Sequence, residues 1–158
     1  MHLLKATLPT VMKQHTGREP GFESFNLKPE DLPLLVQRME LDPERDNFYK
    51  IELFVPQKGL FSWFAFAQHV EKQDAPNNWV ISKVSTVVKR RPVDSEQLKD
   101  NEKFNLLIND QPLLANWVRQ TGNYIEVELT EPHNGFRNWF IFSEYVEVAG
   151  KPLLVSAS

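Results

Sequence analysis

Apolar and acidic positions alternate through YIEVELTE, residues 124–131, with Ile125, Val127 and Leu129 on one face and Glu126 and Glu128 on the other. That period of two is the signature of a half-buried strand. FYKIELFV, residues 48–55, repeats it with Tyr49, Ile51, Leu53 and Val55 inward, and KVSTVVKRR, KFNLLIND and LLANWVRQ read as further strands. Gly135, shortly after Pro132 in EPHNGFRN, marks a turn between two of them. LPLLVQRMEL, after Lys28-Pro29-Glu30-Asp31, has the spacing of a short helix, but its counterpart later in the chain, PLLANWVRQ, reads as strand. A strand is therefore expected at both places.

The pattern is written twice. SWFAFAQHVEK at residues 62–72 returns as NWFIFSEYVEV at residues 138–148. Thr10-Val11-Met12-Lys13 echoes Thr86-Val87-Val88-Lys89, Phe25-Asn26-Leu27 echoes Phe104-Asn105-Leu106, and Pro33-Leu34-Leu35 echoes Pro112-Leu113-Leu114. Ile51-Glu52-Leu53 answers Val127-Glu128-Leu129, and Pro56 and Gly59 answer Pro132 and Gly135. The offset is 76 at both ends and 79 in the middle. It implies three extra residues in the second copy between Lys89 and Phe104, and three in the first between Leu35 and Phe48. Both stretches are polar, where loops absorb changes of length.

About five short strands in each copy would leave exposed edges in an open sheet, and curling into a small barrel removes most of that exposure. The ending WFIF-SEY-VEV, a strand, a single tight turn and a short strand, is how SH3-like barrels close. With TVVKRRPVDSEQL, EKFNLLIND and NYIEVEL, it resembles a bacterial SH3-like domain, in particular the tandem repeats of cyanobacterial and cyanophage proteins that often stand beside peptidoglycan-cleaving domains. The resemblance covers residues 6–72 and 82–148 and implies a binding or targeting module. The expected fold is all-β, two tandem small SH3-like β-barrels from an internal duplication. The expected domains are residues 1–72 and 82–148, with a polar linker at 73–81 and a C-terminal tail at 149–158.

Composition narrows the function. The chain has 158 residues, 41% hydrophobic and 25% charged, and no cysteine, which rules out disulfides and thiolate metal sites. The net charge is −3. Divided after Asn78, the chain carries 9 basic against 11 acidic residues before that point and 9 against 10 after it, so neither half is basic. Nucleic-acid binding, driven by phosphate neutralisation, is not expected. The single basic run, Lys89-Arg90-Arg91, reads as a solvated loop after a strand. MHLLKATLPTVMKQ is too short in apolar residues for a signal peptide, and no window approaches a membrane span. A cytoplasmic or virion location is the expectation, with no membrane partner.

Catalysis finds little support. Of the four histidines, His2, His15, His69 and His133, the third aligns with Tyr145, so the copies differ there in acid–base character. A shared aromatic slot explains both better than a catalytic base, and Ser62 with His69 becomes Asn138 with Tyr145 in the second copy. Glu126, Glu128, Glu131 and His133 could form an oxygen-rich cation site, but the first copy supplies only Glu52 in register, and an outward strand face needs polar residues anyway. No Gly-rich phosphate loop and no carboxylate pair for glycoside cleavage is present. No enzyme activity, cofactor or metal is expected.

Binding is left to the aromatic stretch. Phe140 and Phe142 share one strand face and Trp139 and Ile141 the other, as Phe64 and Phe66 stand opposite Trp63 and Ala65. If the Phe pairs fill the barrel, the Trp faces lie outside. Trp63, Trp139, Ile141, His69 and Tyr145 are then the candidate binding residues, suited to sugar stacking, proline-rich peptide or a protein interface. Trp79 and Trp117, without aromatic counterparts in register, read as packing residues. The expected role is a structural or assembly protein, such as a capsid-decorating or tail component acting through a protein partner or self-assembly. The alternative is a module that binds cell-wall glycan or peptide.

Overall fold

In the computed structural model, residues 1–14 and 23–155 are described, and His15 lies outside them. The chain is all-β, with no α-helix among the described residues, and divides into two compact units, Met1–Ala75 and Pro76–Ser158. The first unit contains β1 (His2–Ala6), β2 (Thr10–Lys13), β3 (Ser24–Leu27), β4 (Leu34–Asp42), β5 (Arg45–Gln57), β6 (Leu60–Phe66) and β7 (Val70–Asp74). They form one antiparallel sheet in the order β3-β2-β6-β5-β4-β1-β7. The second contains β8 (Asn78–Ser82), β9 (Thr86–Lys89), β10 (Lys103–Leu106), β11 (Leu113–Thr121), β12 (Tyr124–His133), β13 (Phe136–Phe142) and β14 (Val146–Gly150), in the order β10-β9-β13-β12-β11-β8-β14. Strand for strand, the two orders are the same.

LPLLVQRMEL is strand, as its counterpart suggested, and SEY forms a single 3-10 turn between β13 and β14. AQH does the same between β6 and β7.

Each sheet wraps its own core. Seven flat strands would span about 29 Å from one edge to the other, yet one buried cluster in the first unit draws on every strand from β1 (Leu4) through Met12, Leu27, Val36, Leu53 and Trp63 to Val70 in β7. Burial to zero exposure at Leu4, Met12, Val36 and Leu53 means that the sheet coils over itself. The second unit repeats this with Val80, Val88, Leu106, Ala115, Val127, Trp139 and Val146.

The Trp face is the inner face, opposite to expectation. Trp63, Trp139 and Ile141 have 0% exposure, whereas Phe64, Phe66, Phe140 and Phe142 are half-buried on the outside. The reason is register. Asn134 (φ 51°) and Gly135 (φ 83°) make a two-residue turn that pairs His133 with Phe136. Continued without interruption, that ladder would set Trp139 opposite Thr130, on the outer face. An irregularity between Glu128 and His133 shifts the pairing by three residues, so Trp139 faces Val127 instead. An odd shift exchanges the two faces of a strand. Lys58 and Gly59 turn the first unit in the same way, and Trp63 faces Ile51.

The expected linker and tail are also corrected. Within the expected linker, residues 78–81 belong with Ser82 to β8, which pairs with both β11 and β14. Its polar first residue, Asn78, is 2% exposed because its amide donates to the carbonyls of Ala149 and Lys151, at 3.1 and 2.7 Å. Those bonds hold residues of the supposed tail, which completes β14 and adds β15 (Leu154–Val155) parallel to β11.

Candidate functional site

The half-buried Phe residues outside each sheet lead to the site. The β9–β13 ladder contains one pair, Phe140 with Lys89, and the β2–β6 ladder one pair, Lys13 with Phe64. Beyond it the strands part, and the gap becomes a groove. In the first unit the groove has a volume of about 290 Å³ and is lined by Pro9, Thr10, Val11, Lys13, Phe48, Phe66 and His69. In the second it measures about 350 Å³ and is lined by Ser85, Thr86, Val87, Lys89, Tyr124, Phe142 and Tyr145, with Ser95 added. Every lining position of the first recurs in the second, each at an offset of 76.

Three rings form one wall. Phe48 meets Phe66 edge-on at 5.6 Å between centroids, and His69 lies 4.8 Å from Phe66. Tyr124 meets Phe142 at 5.6 Å, and Tyr145 lies 5.0 Å from Phe142. The 3-10 turn places the third ring. Its last carbonyl, that of His69, accepts the backbone N–H groups of Thr7 and Leu8 at 2.8 and 3.3 Å, and that of Tyr145 accepts the Lys83 N–H at 2.9 Å. The turn is thus pinned to the β1–β2 or β8–β9 connection, with its ring at the groove mouth. Tyr145 is 44% exposed. The His69 ring is oriented by the nearly buried Thr10, whose hydroxyl lies 3.2 Å from Nδ1.

Of the candidate residues, then, His69 and Tyr145 stand in equivalent grooves, while Trp63, Trp139 and Ile141 belong to the cores. The indole N–H of Trp63 donates to the Leu60 carbonyl at 3.0 Å and that of Trp139 to Phe136 at 2.9 Å. Phe25 and Phe104 pack edge-on against these indoles at 4.7 and 4.8 Å. Lys13, Phe48 and Phe66 with Lys89, Tyr124 and Phe142 were missed, although the repeat preserves a lysine and two aromatics at those positions.

Three of the four residues considered for a cation are engaged elsewhere. Glu126 pairs with Arg119 at 3.7 Å, Glu128 accepts from the Asn116 amide and the Trp117 indole at 2.9 and 3.1 Å, and His133 stacks on Phe104 at 3.9 Å. Within the basic run, Arg90 is structural: its guanidinium lies 4.2 Å from the Phe136 ring and donates to the Asn138 carbonyl. Arg91 pairs with Glu102 at 3.7 Å. No helix among the described residues is long and apolar enough to cross a membrane.

No protein family matches this chain, and neither does any curated protein or solved structure. The grooves are therefore read from their own chemistry. Flat rings offer stacking area at low entropic cost, hydroxyls and a lysine offer hydrogen bonds, and both sites are shallow and open.

Proposed function

We propose that the chain is a two-site binding module that docks extended, proline-rich segments of a partner protein, one in each groove. The observation that carries this reading is the recurrence of all seven lining positions of the first groove in the second. An aromatic-lined cleft suits the stiff polyproline II conformation, whose ordering costs little on binding. We further propose that the two units are copies of one SH3-like module produced by internal duplication. The identical strand order and the shared turn, register shift and indole hydrogen bond support that origin. Docking of a partner in this way is the form of the assembly role best matched to the grooves.

The test is an NMR titration of the labelled protein with a short proline-rich peptide, alongside a soluble peptidoglycan fragment. The peptide is expected to shift amides around Thr10, Val11 and His69 and around Thr86, Val87 and Tyr145. His69→Ala and Tyr145→Ala should each abolish only their own set. Shifts caused by the glycan alone would replace this reading with wall recognition, and no response to either ligand would overturn it.

A further inference from the structure

The two grooves share a plan but not a charge. We propose that the groove of the second unit selects an extended peptide bearing an acidic side chain, and that Lys89 and Lys103 read that charge. This inference rests on the peptide-docking reading above. Lys103 lies directly opposite Lys89 in the β9–β10 ladder, so both side chains leave the same face of the sheet. Like charges in that relation repel, and the arrangement is costly unless something negative sits between or beside them. Among the described residues neither lysine forms an ion pair.

The nearby carboxylates that could neutralise them are held by other cations, Glu102 by Arg91 and Glu126 by Arg119. Asp94 and Glu96, on either side of Ser95, point to solvent as exposed residues and pair with neither lysine. Both ammonium groups are instead drawn to the groove margins. Lys103 Nζ donates to the Ser95 carbonyl at 3.0 Å, and Lys89 Nζ lies 5.9 Å from the centre of the Tyr124 ring. Ser95 and Tyr124 both line the groove, together with the hydroxyl-bearing Ser85, Thr86 and Tyr145. A carboxylate only accepts hydrogen bonds, and this set of groups is rich in donors.

Among the described residues, the first groove lacks these features. Ser24 stands opposite Lys13 where the second unit has Lys103 opposite Lys89. Phe48, Pro9 and His69 replace Tyr124, Ser85 and Tyr145. Among the described residues, the second groove therefore has one lining lysine with a second beside it, and four more hydroxyl-bearing side chains than the first, which has one lining lysine. The complement of that difference is a ligand carboxylate.

The experiment uses the full chain and two proline-rich peptides differing only by glutamate or glutamine at their polar positions. Affinity is read separately from the amides of Thr86, Val87 and Tyr145 and from those of Thr10, Val11 and His69. At low salt the glutamate peptide is expected to bind the second groove about fivefold more tightly than its glutamine twin, the scale of one exposed ion pair. The preference should fade in high salt and be weaker in the first groove. Lys103→Gln should reduce the preference to about twofold. Equal affinities in the unmodified protein, or a preference that survives Lys103→Gln intact, would overturn the charge selection while leaving peptide docking in place. Failure of both peptides to bind would overturn both.

Discussion

Val127 faces Trp139 across the β12–β13 ladder, and that pairing commits the indole to the core. Directly opposed residues point to the same side of a sheet, and Val127 is fully buried. The equivalent pair, Ile51 with Trp63, commits the first unit in the same way. Substitution of either Trp is therefore expected to act on folding before it acts on binding.

Trp139→Ala should destabilise the second unit by about 3–5 kcal/mol, the usual range for emptying a buried aromatic site. Native-state hydrogen exchange would show lost protection in residues 76–158 and retained protection in 1–75, because each unit has its own core. Trp63→Ala should give the mirror result. Unchanged protection in either variant would contradict the inward placement.

Gly135 and Gly150 both have positive φ but should respond differently to alanine. At Gly135 (φ 83°) nothing lies within 4 Å of an added Cβ, so the cost is conformational alone, about 1 kcal/mol by urea unfolding. At Gly150 (φ 101°) the same Cβ would overlap the Asn77 carbonyl oxygen, which also accepts the Lys151 N–H at 2.8 Å. The Gly150 variant should be clearly the less stable of the two.

Arg90→Ala is expected to cost about 1–2 kcal/mol, from the lost stacking on Phe136 and the lost bond to the Asn138 carbonyl. Arg90→Lys should restore little of it, since an ammonium lacks the planar fork that does both at once. Full recovery with lysine would show that charge alone matters.

Asn78→Ala should cost about 1–2 kcal/mol by leaving the Ala149 and Lys151 carbonyls without their donor. The local sign would be faster exchange at Leu154 and Val155, which pair with Arg119 and Gln120 only while this segment is held.

Much of the strand content could be read from the chain, because alternation marks β5 and β12 and the repeat resolves the ambiguous β4. The face of the Trp residues could not, because alternation divides a strand into two faces without saying which is buried. That depended on a three-residue shift hidden in TEPHNG and VPQKG, between strands whose own patterns are regular. The polar look of KQDAPNNW likewise concealed the start of β8, whose Asn78 is buried by satisfying two carbonyls that no local pattern reveals. His69 and Tyr145 were reached through their alignment with each other. Their partners were not, since Lys89, Tyr124, Phe142 and Tyr145 come from separate elements and meet only where a ladder parts.

The pin beneath the third ring has one more consequence. At positions 69 and 145 the fold is served by the main-chain carbonyl, and the side chain is left over. The bond from the connection, Thr7 N–H in one unit and Lys83 N–H in the other, is made beneath an imidazole in the first and a phenol in the second. Each groove can thus be retuned by exchanging a single ring, while the instructions for folding stay in the part of the residue that every amino acid shares.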